Sequence, residues 1–202
     1  MRKMQKGAAV VGGIFAIFSA VLSLFAITGY IRIQAGAAAY LNLFAGVLLA
    51  VLLGVALFRG KVDVFAGVVF GLNALWKLKA LISNLVTGEY LYFIGNLAVG
   101  AALVLMTLLC FRVMGKQKLL TVLLAAGGSL ITVIGTVSGM MGSVDMSSPG
   151  GILAAILTAV ATSLGALVGA LPVIMAALAV CGCKEPEAAE PCVICQEPEV
   201  VN

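Results

Sequence analysis

A chain of 202 residues in which 63% are hydrophobic and 10% charged does not read as a soluble domain, where about a quarter of residues carry charge. The net charge is +4 and there is no histidine, which removes the commonest general base and metal ligand. No two carboxylates stand at catalytic spacing and no phosphate-cradling glycine loop precedes a lysine, so the chain reads as a non-enzyme.

Six apolar stretches reach the roughly 20 residues a spanning helix needs. They run over residues 7–31, 36–58, 62–87, 90–111, 119–141 and 151–180. Each is continuously apolar, without the alternation of a barrel strand, and a helix satisfies its own backbone in lipid. The expected fold is an all-α integral membrane protein: residues 1–183 form a six-span domain built as three antiparallel hairpins, and residues 184–202 form a tail.

The first stretch follows a basic segment, Met1 to Lys6, and Ala35-Gly36-Ala37 faintly resembles a cleavage site. A signal core runs about 7–15 residues. This stretch is far longer, so it is expected to remain as the first span.

Orientation follows from the basic residues. Arg2, Lys3, Lys6, Arg59, Lys61, Arg112, Lys116, Lys118 and Lys184 fall on one side of the spans, and Arg32 falls on the other. That bias predicts cytoplasmic N- and C-termini in the cell membrane. Tyr30, Tyr40, Tyr90 and Tyr92 then form an outer aromatic belt, and the basic side meets anionic lipid of the inner leaflet. No basic face is left over for nucleic acid.

Lys6, Lys61 and Lys116 recur at a fixed interval and each opens a hairpin, while Asn42 and Asn96 fall at similar depths in spans two and four. This is the pattern of a threefold parallel repeat. A run of helical hairpins also shows basic residues at such spacing without one.

Span three holds a charge in an apolar setting. On one helix, Asn73, Lys77, Ala80 and Asn84 share a narrow face, continued by Thr87. A charge at depth costs at least about 2.5–3.5 kcal/mol and ordinarily has a partner. Outside the tail the carboxylates are Asp63, Glu89 and Asp145, all near span ends. Two readings stay open. In one, Lys77, Asn73 and Asn84 bind a small anionic solute or a lipid headgroup. In the other, residues 72–87 form an interfacial helix with Trp76, Lys77 and Lys79 as anchors.

Spans five and six each carry a small-residue face. Gly128, Ser129, Thr132, Gly135, Thr136, Gly139, Gly142 and Ser143 lie within an arc of about 140°. Ala154, Thr158, Ala161, Thr162, Gly165, Gly169, Pro172 and Ala176 share about 100° of the next helix. Such faces let helices approach closely, and the two are expected to pack on one another. A Ser/Thr-lined path for a polar solute, or packing against a partner membrane subunit, uses the same faces. Pro172 is expected to bend the long sixth helix so that its last turns lie along the inner interface.

The tail joins Cys181-Gly182-Cys183 to Cys192-Val193-Ile194-Cys195. Four thiolates at this spacing can wrap a tetrahedral zinc, and a reducing cytoplasm favours metal or redox chemistry over structural disulfides. Free thiols, or acylation of Cys181 and Cys183, are the other readings.

In size and span count the chain resembles the six-span substrate-binding subunits of energy-coupling-factor vitamin importers. The resemblance is one of outline and assigns no residue a role. The functional expectation is a small transport component that binds or passes a small, anionic solute beside Lys77. The alternative is a membrane scaffold, or a metal or redox sensor working through the cysteine tail.

Overall fold

The computed structural model describes residues 3–32, 36–113, 117–141 and 149–181. They form six α-helices and, among the described residues, no strand: α1 (Lys3–Arg32), α2 (Ala37–Arg59), α3 (Val64–Thr87), α4 (Tyr90–Cys110), α5 (Lys118–Met141) and α6 (Pro149–Cys181). All six are long and apolar enough to cross a membrane.

Short polar devices end the helices. Gly60 closes α2 in the left-handed region at φ 58°, donating its N–H to Leu57 O. Three residues on, Asp63 caps α3 by accepting from Ala66 N at 3.0 Å. The same carboxylate takes Arg59 Nη2 at 2.8 Å, and that guanidinium lies 4.7 Å from the centre of the Phe65 ring. One aspartate therefore satisfies a helix start and an arginine within a single tight turn. Gly88, at φ 75°, closes α3, and α4 begins two residues later.

α3 runs unbroken past Lys77. Its 24 residues span about 36 Å, enough to cross the hydrocarbon in one piece. This corrects the alternative of a short span followed by an interfacial helix over residues 72–87.

The helices touch in a closed ring. α1 packs on α2 and α6, α4 packs on α3 and α5, and α5 also packs on α6. α2 and α3 touch less extensively, and α4 and α2 each reach α6 across the middle.

Close approach in the ring is set by glycine. A Cβ placed on Gly128 of α5 would lie 2.7 Å from Ala98 Cβ and 2.8 Å from Val99 N on α4. A Cβ on Gly95 of α4 would lie 2.9 Å from Thr132 N and 3.0 Å from Gly128 O. The α4 and α5 backbones are thus in near contact, each helix offering its glycine to the other. Gly12 of α1 does the same against Met175 of α6, and Gly54 of α2 against Ile17 of α1. In lipid such contact supplies the dispersion energy that water-driven burial supplies elsewhere.

This alters the expected role of the small faces. Gly128 and Gly135 of α5 face α4, whereas added carbons at Gly165 and Gly169 of α6 meet nothing within 4 Å. α5 and α6 do touch, but Gly127, Gly128, Gly135, Gly165 and Gly169, the glycines described on them, are not the surface that joins them.

The core gathers at one end. It includes Leu53, Leu57, Val69, Phe70, Leu103, Met106, Ala125, Val173 and Ala177. Apart from Val99 at the middle of α4, each core residue lies in the half of its helix nearer Lys6, Arg59, Lys61, Arg112 or Lys118. Contacts bring those ends together. Ala9, Leu57, Lys61, Phe70 and Val180 line one small crevice, Gly67 approaches Cys110 and Phe111, and Cys181 Sγ donates to Lys118 O at 3.1 Å. Towards the other end packing loosens. Among the described residues α2 has none buried before Leu53, and α6 none before Pro172.

The turns after Pro172 belong to this core. Val173, Ala176, Ala177, Ala179 and Val180 are all buried, and α6 continues as one helix to Cys181. The expected swing onto the inner interface is therefore corrected. Alanines at these positions are narrow enough for the helix to enter the bundle rather than lie on its edge.

Gly127 and Gly128 make a paired test. Gly128→Ala should lower stability by about 1–3 kcal/mol through overpacking against α4, while Gly127→Ala, which meets open space, should leave it unchanged or raise it. Thermal unfolding of the two variants in detergent, side by side, measures the difference; equal effects would contradict the α4–α5 contact.

Candidate functional site

Above the core, all six helices contribute to one open cavity of about 550 Å³. Leu53, Val99, Val173 and Ala16 belong both to the core and to the cavity wall, so the core forms its floor. Gly46, Gly165 and Gly169 make other parts of the wall, and missing side chains there leave the space open. The volume is in the range of small-molecule sites.

Polar groups enter mainly from two sides. α3 supplies Asn73, Trp76 and Lys77, α5 supplies Ser129, Thr132 and Thr136, and Ser19 joins them from α1. The two features separated along the chain, the lysine stripe and the Ser/Thr face, therefore look into the same space. Asn73 and Lys77 reach it together because they are one helical turn apart. Asn84 does not line the cavity; its carbonyl accepts from Glu89 N at the end of α3.

Lys77 lies about 20 Å along α3 from Val64 and is half-buried. Its Nζ donates to Asn96 Oδ1 on α4 at 3.1 Å. Among the described residues no carboxylate is within ion-pair distance of it. An ammonium has three donors and no acceptor. One donor is held by a neutral amide, which leaves two donors and the whole charge without a counter-ion. Asn96, 6% exposed, was the partner missing from the sequence reading. Its signal was present, because it is the single amide of the α4 segment.

Lys79 is held differently. It donates to Asn42 of α2 and stands 4.9 Å from the centre of the Trp76 ring, outside the cavity lining. The two amides noted for their matched depth thus each receive a lysine from α3.

The other polar groups differ in what they have left to offer. Thr132 Oγ1 donates to Gly128 O and Thr136 Oγ1 to Thr132 O, both at 2.9 Å, so these hydroxyls present lone pairs. Asn73 Nδ2 donates to Val69 O at 2.9 Å, keeping its Oδ1 and one N–H. Ser129 lines the cavity and, among the described residues, makes no hydrogen bond; no fully buried side-chain polar atom among them lacks a partner, so its hydroxyl opens to the cavity.

Of the cysteine set, Cys181 ends α6 with its thiol on Lys118 O. Cys183, Cys192 and Cys195 lie outside the described residues, and so does the zinc reading that needs them. Among the described residues no three metal-binding side chains cluster.

Comparison with family models, with curated proteins and with solved structures gives no match.

The Lys77–Asn96 pair can be tested by a double-mutant cycle. Asn96→Leu should cost about 1–3 kcal/mol by stranding a buried ammonium donor, and most of that loss should be absent when Lys77→Met is added. Unfolding midpoints of the four proteins give the coupling. Strictly additive effects would mean that the hydrogen bond carries no stability.

Proposed function

We propose that this multipass membrane protein is a small transport component that receives a small anionic solute in the cavity beside Lys77. The observation that carries the reading is an ammonium whose partner among the described residues is a neutral amide, facing a cavity of about 550 Å³. An intramembrane charge facing a cavity marks a solute or ion path by default.

We infer three antiparallel hairpins, α1–α2, α3–α4 and α5–α6, with both termini in the cytoplasm and the protein in the cell membrane. Each of those pairs is in contact, and the helix ends flanked by Lys6, Arg59, Lys61, Arg112 and Lys118 gather at one end. The positive-inside tendency puts that end in the cytoplasm. The cavity then opens away from the cytoplasm, above a floor of packed side chains. The arrangement supports binding from outside. Release inwards requires the core end to part, for which a partner membrane subunit is the simplest agent. The one carboxylate within the apolar runs is Asp63, which caps the start of α3 rather than lying at depth, and this argues against proton coupling through the spans.

Topology is tested by labelling. In a cysteine-free variant, Glu89→Cys should react with an impermeant maleimide on intact cells, and Lys61→Cys should react only after lysis. The reverse pattern would invert the orientation.

Solute binding is tested in phosphatidylcholine nanodiscs, whose lipid carries no net negative charge. Fractions of a small-molecule extract should stabilise the wild type, by about 2.7 kcal/mol for a ligand at one hundred times its Kd, and fail to stabilise Lys77→Met. If no fraction acts, while zinc stabilises the protein and this is lost when Cys181, Cys183, Cys192 and Cys195 become Ser, the sensor reading replaces transport.

A further inference from the structure

The cavity's hydrogen-bonding inventory specifies more than an anion. Among the described residues its lining holds one cation, Lys77; Lys79 is tied to Asn42 and lies outside the lining. The same cavity offers the Ser129 hydroxyl, which opens to it and has no hydrogen-bond partner among the described residues. The Thr132 and Thr136 hydroxyls already donate to their own helix, so they face the cavity as acceptors. A second anionic group placed against them would meet lone pairs and no counter-charge. Ser19, Asn73 and Trp76 add neutral polar groups, and the remaining wall is mainly apolar or small, with Leu49, Leu53, Val99, Val173, Gly165 and Gly169.

We propose that the solute is a water-soluble monocarboxylate with a compact, largely apolar body. Its carboxylate bonds Lys77 Nζ and Ser129 Oγ, and its body lies against the Leu49, Leu53, Val99 and Val173 wall. This rests on the solute-binding reading and narrows it. A neutral amide of the same shape leaves Lys77 uncompensated. A dicarboxylate sets its second charge where the described lining offers no second cation. A cation is repelled.

The chain has a single tryptophan, and it lines this cavity, so intrinsic fluorescence reads occupancy directly. The full chain in phosphatidylcholine nanodiscs is titrated with 4-phenylbutyrate, 4-phenylbutyramide and 3-phenylglutarate, following Trp76 emission and thermal stability. The monocarboxylate should bind at least tenfold more tightly than either of the others. Lys77→Met should bring it down to the level of the amide, and Ser129→Ala should weaken it severalfold while leaving unliganded stability unchanged or higher. Several results overturn the assignment. The amide or the dicarboxylate could match the monocarboxylate, which leaves a binding cavity but removes the charge class. Lys77→Met could keep the preference, or none of the three probes could alter either signal. In that last case, stabilisation of the wild type by extract fractions still decides separately whether the cavity binds a solute. Phosphatidylglycerol added to the nanodiscs distinguishes a lipid source. If it blocks 4-phenylbutyrate in the wild type by occupying Lys77, the anion is a headgroup and the soluble carboxylate is overturned.

Discussion

The hydrogen bond from Lys77 to Asn96 joins the part of this protein that is polar to the part that is most tightly built. Asn96 follows Gly95, the residue at which α4 comes into near contact with α5. α3 is therefore fastened to α4 at the depth where α4 is fixed against α5. These three helices form one wall. α1, α2 and α6 form the other, held by Gly12 against Met175 and by Gly54 against Ile17. The cavity lies where the walls face each other, and its polar groups come mostly from the first.

The two walls meet unequally at their two ends. Near the basic residues they share a core of alanines with Leu53, Phe70, Leu103 and Met106 between them. Towards the other end, small residues continue along α6, but no bulky side chain opposite fills the gap they leave. Small residues thus do two jobs along one helix. At Ala176 and Ala177 they admit a neighbour, and at Gly165 and Gly169 they leave space. The α2–α3 seam, the least extensive contact between neighbours in the ring, is bridged by Lys79 and Asn42.

Much of this was legible in the sequence, and the limits have physical reasons. Spans are readable because lipid demands an uninterrupted run, so the expected stretches and the observed helices nearly coincide. The shared face of Asn73 and Lys77 follows from helical period alone. Asn84 follows the same period but falls short of the cavity, because a face continues along a helix after the space beside it has ended. The partner of Lys77 was harder to see. A search for carboxylates overlooks an amide, and helix pairing at a given depth is not written in one helix. The small faces misled for a related reason: a glycine stripe states that something can come close without stating whether anything does. Pro172 marked a missing backbone bond, yet the alanines beyond it decided where the helix went.

Magnitudes indicate why Lys77 calls for a functional explanation. Placing a lysine within a span costs at least about 2.5–3.5 kcal/mol, whereas a side-chain hydrogen bond between membrane helices returns about 0.6 kcal/mol on average. The bond to Asn96 alone therefore leaves a deficit of roughly 2 kcal/mol. A leucine at position 77 would incur neither term. Water reaching the open cavity reduces the deficit, but water reaches it only because Gly46, Gly165 and Gly169 leave it unfilled, which forgoes packing elsewhere. Two separate departures from the most stable bundle, a charge and an empty volume, converge on one space, which the Ser129 hydroxyl also lines. An occupant that is anionic at one end and apolar over its body, as proposed, would offset both at once.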